Sequence, residues 1–170
     1  MIIAVSGTPG TGKTTLSKKL AEKLKFKYVD VNKVIKRFKL IEGYDEARYT
    51  NIVDVLKLNS VLMQFIKQGK NLIIDSHLSH NLPAKYVDLC IITKCSLKEL
   101  KRRLERKRWP ESKIRENMDA EIFDICNQEA KEIGHKILIV DTTKKVDIDK
   151  LVGKIKTKLK ITKKKQIKLR

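Results

Sequence analysis

Aromatic residues are scarce. Four Tyr, four Phe and one Trp make up 5% of the 170 positions, so a chain that is 41% apolar must build its core from Ile, Leu and Val. Cysteine is nearly absent too. Cys90, Cys95 and Cys126 are odd in number and fit no metal-site spacing, so they read as buried, reduced thiols and not as a disulfide framework. No apolar run approaches the roughly 20 residues of a membrane span. The opening MIIAV has neither the charged flank nor the cleavage site of a secretory leader, so a cytoplasmic protein without a membrane partner is expected. Acid is the remaining shortage: 20 Asp and Glu stand against 39 Lys and Arg, a net charge of +19. Residues 154–170 hold eight Lys and one Arg without one acid, and KRRLERKR (101–108) is a second basic cluster. A small-molecule enzyme does not need so much positive charge, whereas a phosphate-rich partner would explain it.

The length suits one domain, and no internal repeat is visible. Short apolar runs alternate with helical patterns along the chain. MIIAV, FKYVDV (26–31), NLIID (71–75), YVDLCIIT (86–93) and KILIVDT (136–142) read as strands. A helix is expected from about Lys13 to Leu24, and another where 52, 55/56, 62 and 65/66 repeat at helical spacing before Gly69. Ser96 with Glu99 forms a capping-box pattern opening a helix that carries Leu97, Leu100 and Leu104. Pro110 suits the first turn of a helix with the stripe Ile114, Met118, Ile122, Cys126 and Ala130. A last helix carries Ile148, Leu151, Val152, Ile155 and Leu159. Strands alternating with helices predict an α/β fold with a parallel sheet covered on both faces.

GTPGTGKTT (7–15) interrupts this alternation between the first strand and the first helix. Gly7, Gly12, Lys13 and Thr14 satisfy G-x-x-x-x-G-K-[ST], the phosphate-binding P-loop. Glycines let backbone N–H groups approach phosphate oxygens, and the following helix turns its unpaired N–H groups and positive dipole end to the same anion. Lys13 is placed to reach the β- and γ-phosphates of ATP, with the Thr14 hydroxyl on Mg²⁺. Asp75, ending NLIID, is the candidate acid for holding the metal, partly through water. The guanine-reading N/T-K-x-D pattern is missing, since IITK continues into Cys95-Ser96, and no Gly follows Asp75 three residues on. A GTPase is therefore not expected.

On GTPGTGKTT, GYDE (43–46), the Asp75-x-His77 pair and KIRENMDAEIF (113–123), the chain resembles the adenylate kinase isoenzyme 6 family. The resemblance runs to about residue 145. It implies a P-loop NTPase with a five-stranded parallel sheet flanked by helices over 1–161. Within that domain it implies a short monophosphate-binding arm at about 30–53 and a short lid at about 106–116. Residues 162–170 would be a mobile basic tail. It further implies an ATP:AMP phosphotransferase that also hydrolyses ATP and serves small ribosomal subunit maturation, through a small-subunit ribosomal protein and a ribosomal RNA precursor. Carried over by position, Gly10, Gly12, Lys13, Thr14 and Thr15 bind ATP. The lid arginine falls on Lys107, with Arg106 and Arg108 beside it, and the adenine-side lysine falls on Lys144. The chain departs from the family pattern in the arm, where Asn32-Lys33 replaces Gly-Asp and Lys36 replaces an arginine, and in the lid at Lys107-Arg108-Trp109.

Transfer to AMP needs no protein base, because a phosphate oxygen is already the nucleophile. Water does need orienting, and His77 beside Asp75 suits that role. Catalysis is thus assigned to Lys13, Asp75 and His77, while His80 and His135 are expected at the surface without a role. The alternative is an assembly factor that is an ATPase only. A pure nucleic-acid-binding module would leave Lys13 and Thr14 unexplained.

Overall fold

The computed structural model describes residues 1–168, with side chains through Lys160. The mobile tail expected over 162–170 falls outside the described side chains.

Five strands form one parallel sheet: Ile2–Ser6 (β1), Lys27–Asp30 (β2), Leu72–Asp75 (β5), Leu89–Lys94 (β6) and Ile137–Asp141 (β7), in the order β2-β5-β1-β6-β7. All of β1 and β5 is buried, as a central parallel strand covered on both faces requires. Each of the five strands read from the sequence is present.

Helices Lys13–Leu24 (α1) and Ile148–Lys168 (α7) cover one face, where Leu16 and Leu20 meet Leu151 and Ile155 around Ile3, Val5 and Ile91. Val31–Arg37 (α2), Val55–Gln68 (α3) and Ile125–Glu132 (α6) cover the other, where Val34, Ile35, Leu58, Leu62 and Ala130 pack on Ala4, Ile74 and Ile92. Leu97–Glu105 (α4) and Glu111–Ile122 (α5) sit together beyond the sheet's end, with Leu100 and Leu104 packing against Trp109, Ile114 and Met118.

The structure corrects three expectations. Ile52 does not begin a helix: it lies in Thr50–Val53 (β4), which pairs antiparallel with Ile41–Asp45 (β3) as an exposed hairpin. α3 starts only after Asp54, whose carboxylate caps the N–H groups of Leu56 and Lys57. Its buried face is Leu58 and Leu62, while Leu56 is 80% exposed. The stripe from Ile114 to Ala130 belongs to two helices, because Asp124 adopts a left-handed conformation (φ 55°) that ends α5 and leaves Ile122 and Phe123 exposed. The capping box is half formed. The Ser96 hydroxyl accepts from the Glu99 N–H, but Ser96 N–H donates to Thr143 Oγ1, and Glu99 turns to Arg102 and Arg103.

Candidate active site

A cleft of about 1080 Å³ opens at the carboxyl ends of β1 and β5. That is where a sheet whose connections depart in both directions leaves room for a ligand. The P-loop forms its floor. Gly7 has φ 135°, and a Cβ there would run into the carbonyl and hydroxyl oxygens of Thr93. Gly12 has φ 85° at the N-cap of α1, a left-handed turn that leaves the helix's first N–H groups facing the cleft. Gly10, Gly12, Lys13, Thr14 and Thr15 all line it. Gly7 lies beneath the loop and does not.

Lys13 Nζ donates to the carbonyls of Gly7 (2.8 Å) and Thr8 (3.0 Å). Burial in the cleft pulls its ammonium down to about 8, opposed by the carboxylates of Asp75 and Glu121. Asp75 is only 4% exposed. Its Oδ2 accepts from the Tyr28 hydroxyl at 2.8 Å, and its Oδ1 has no partner. Thr14 lies beside the same phenol, so Tyr28 stands next to both residues expected at the metal. Burial and Asp75 both push the phenol's pKa up, keeping it a donor. An unpaired buried carboxylate oxygen is costly, and a hard cation beside it removes the cost. Among the described residues no group of three His, Cys, Asp or Glu could hold a metal alone. Thr14 and Asp75 therefore fit Mg²⁺, which takes few protein ligands and completes its shell with phosphate and water.

His77 projects into the cleft past Asp75. Desolvation by the walls, then the Lys13 ammonium, hold its imidazole down at about 4, so it is neutral at physiological pH. Two other histidines depart from expectation. His80 and His135 are buried, because polar partners distant in sequence satisfy them: His80 contacts Ser6 and Glu129, and His135 reaches the His80 carbonyl.

The remaining expected residues divide. Lys107 and Lys144 line the cleft, but Arg106 does not. Lys107 and Lys113 lie over the Trp109 ring at 4.6 and 4.7 Å, which aims both cations across the cleft. In the arm, Asn32 lines the cleft while Lys33 and Lys36 stay outside it. Burial pushes the Cys126 thiol up to about 11, so it is no thiolate nucleophile.

Three residues that the sequence did not single out belong to this site. Arg103 spans it, donating to Glu99 Oε1, the Thr142 carbonyl and the Gly10 carbonyl; the sequence showed it only as part of a charge cluster. Arg48, in the hairpin turn, reaches the cleft and pairs with Glu116 of α5 at 3.5 Å. Beside it Lys113 Nζ donates to the Tyr49 carbonyl, so the β3–β4 hairpin and α5 touch at the cleft. Glu121 is buried under the P-loop and accepts from the Thr8 hydroxyl (2.6 Å) and the Cys95 N–H (3.3 Å).

Known proteins resemble the chain in sequence and in fold. A family profile described as an AAA domain matches residues 3–124. "Putative adenylate kinase" of Methanocaldococcus jannaschii is 36% identical over 155 residues, 91% of this chain and 84% of the relative. "Adenylate kinase isoenzyme 6 homolog FAP7" of Saccharomyces cerevisiae is 38% identical over 140 residues, 82% and 71% of the two chains. In fold the chain is similar to shikimate kinase of Acinetobacter baumannii (TM-score 0.62, 18% identity, 96% and 94% covered). It is also similar to deoxyadenosine kinase of M. mycoides with dATP (TM-score 0.56, 17% identity, 98% and 99% covered). With this P-loop, this sheet order and these relatives, the chain belongs to the adenylate kinase isoenzyme 6 family of P-loop kinases.

Proposed function

We propose that the protein transfers the γ-phosphoryl group of ATP to AMP, hydrolyses ATP as a second activity, and acts in small ribosomal subunit maturation in the cytoplasm. The observation that carries the kinase reading is a single cleft with cations on every side. Lys13 stands at the P-loop, Arg103 and Lys107 on the lid side and Arg48 on the arm, around the unpaired Asp75 Oδ1. At about 1080 Å³ it lies just above the range of ordinary ligand sites, roughly 300–1000 Å³, which suits two nucleotides end to end.

Phosphoryl transfer asks mainly for positioning and charge neutralisation. Lys13 gives up its two loop carbonyls and takes the β- and γ-phosphate oxygens. Gly10, Gly12, Thr14 and Thr15 present backbone N–H groups, and Lys144 flanks the adenine side. Thr14 and Asp75 would hold Mg²⁺, which supplies charge neutralisation when bound. Lys107 swings over the transferring group. His77, neutral at physiological pH, accepts a hydrogen bond from water and aims it when no acceptor is bound.

The second reading, an ATPase-only assembly factor, is favoured by Lys33 and Lys36, which leave the arm without its expected phosphate ligands. Arg48 argues against it by bringing an arm guanidinium into the cleft from another position. Adding AMP to the protein with ATP and Mg²⁺ tests the two: faster ADP formation establishes the kinase, and phosphate release indifferent to AMP establishes the ATPase. For the ribosomal role, the family resemblance and the basic C-terminus are the support. A small-subunit ribosomal protein and the ribosomal RNA precursor are the proposed partners.

A further inference from the structure

Ser6 closes β1 immediately before the P-loop and is fully buried. Its hydroxyl faces His80 Nδ1 at 2.6 Å and the His77 carbonyl oxygen at 3.1 Å. On the far side of the ring, His80 Nε2 faces Glu129 Oε2 at 2.7 Å. The three contacts form one chain from the half-exposed Glu129, through a buried imidazole and a buried hydroxyl, to the backbone of the residue read above as aiming water.

Counting protons along this chain decides its direction. The His80–Glu129 contact needs one proton, carried on Nε2 when the ring is neutral. Nδ1 is then an acceptor, and the single Ser6 proton must turn to it. The His77 carbonyl then faces the hydroxyl oxygen without a hydrogen between them. If the ring–carboxylate pair holds a second proton, at Nδ1, Ser6 accepts from Nδ1–H and its own proton goes to the His77 carbonyl. All three contacts are satisfied together only in this second state.

We propose that His80 is a positioning residue, and that the second proton on the His80–Glu129 pair switches the Ser6 hydroxyl onto the His77 carbonyl. The proton comes from solvent at the exposed edge of Glu129, and nothing else changes hands. The groups facing the ring are Glu129 on α6, Lys13 on α1, His135 ahead of β7 and His77 in its own turn. His135 donates from Nε2 to the His80 carbonyl at 2.7 Å and has no partner at Nδ1, so it anchors the segment from outside the chain of contacts. Burial holds the His80 cation down and Glu129 pulls it only part of the way back, so the switch lies below the ordinary imidazole value. The consequence for water rests on the reading of His77 given above, whereas the hydrogen-bond switch does not.

The test therefore avoids activity altogether. In the full chain, the His80 ring ¹⁵N shifts and the His77 carbonyl ¹³C shift are followed by NMR as pH falls from neutral. At neutral pH the ring should be the Nε2–H tautomer, and on acidification both signals should move with one midpoint. In Ser6→Ala the ring should still titrate while the carbonyl signal stays flat through the His80 transition, moving only where the His77 ring itself titrates, near about 4. Glu129→Gln, at a half-exposed position that folding tolerates, should lower both midpoints together by about 1 pH unit or more. A carbonyl signal that ignores the ring, or follows it equally in Ser6→Ala, overturns the proposal. So does a ring midpoint that Glu129→Gln leaves unmoved. Loss of ATP hydrolysis in His77→Ala has no bearing on this result, so failure of the functional reading and failure of the switch are told apart.

Discussion

Thr8 in the P-loop and Glu121 near the end of α5, 113 residues apart, are joined by a 2.6 Å hydrogen bond in a buried setting. Both carboxylate oxygens are used, because Oε1 also accepts from the Cys95 N–H. This gives the distinctive KIRENMDAEIF stretch a physical purpose: it fastens the lid-side helix to the phosphate-binding turn. Glu121→Gln keeps the size but places an amide donor against one of two donors. We expect a loss of about 1–3 kcal/mol in urea unfolding, the cost of an unsatisfied buried group, together with a raised KM for ATP. An unchanged unfolding midpoint would show the contact to be incidental.

Lys13→Ala should abolish both ADP formation from AMP and phosphate release. Each reaction needs the γ-phosphate charge compensated, and losing one preorganised cation costs at least about 3 kcal/mol, roughly 10²-fold or more in rate. Wild-type turnover in a folded variant would end the P-loop assignment.

Arg48→Ala should raise KM for AMP about tenfold, equivalent to about 1.4 kcal/mol, and leave KM for ATP unchanged. The figure is kept low because Arg48 is 67% exposed and its pair with Glu116 is solvated. Lys36→Ala is the control. Lys36 lies outside the cleft, so its removal should change neither constant. A response to Lys36 and not to Arg48 would return the acceptor site to the helix of the arm.

These arm residues show where sequence reading reaches its limit. The P-loop was legible because its function is local: glycines, Lys13 and Thr14 act within eight positions of one another. The central strands β1, β5 and β6 were legible because parallel, doubly covered strands are continuous apolar runs, and the edge strands followed from their place in the alternation. The hairpin was not, because it packs little, and Ile52 happens to fall in helical register with residues 55 and 56. The break at Asp124 was hidden for a similar reason, since Ile122 and Cys126 keep a four-residue spacing across it. His80 and His135 were misplaced at the surface because what makes their burial tolerable is distant in sequence. Glu129 is 49 positions from His80, and the His80 carbonyl is 55 positions from His135.

His77→Ala should lower ATP hydrolysis more than transfer to AMP. Water must be oriented, whereas on the proposed reading a bound phosphate acceptor would already be placed by Arg48. Steady-state rates with and without AMP read the split. Loss of AMP transfer alone would contradict the assignment, and equal losses would move His77 to a shared role beside Asp75.

The charge at the C-terminus makes the last prediction. A merely solvated helix usually mixes signs and gains i,i+4 pairs, yet residues 154–170 carry nine basic residues and no acid. A row of lysines suits phosphates and reads no bases, so binding to ribosomal RNA should be strong at low salt and nearly indifferent to sequence. Each phosphate neutralised contributes roughly 0.7 to 0.9 to the slope of log affinity against log salt. Stopping the chain after Lys160 removes five of the nine charges and spares Leu159, which packs against the core between α1 and α7. The shortened chain should bind RNA more weakly, with its salt slope reduced by up to about 4, while KM and kcat for nucleotides stay the same. The same measurement on a variant with Lys101, Arg106 and Arg108 changed to Gln asks whether the second cluster shares the load. Both shortened and substituted chains keeping the full affinity and slope would leave the basic charge without a nucleic-acid role, and the ribosomal reading would then rest on the family resemblance alone.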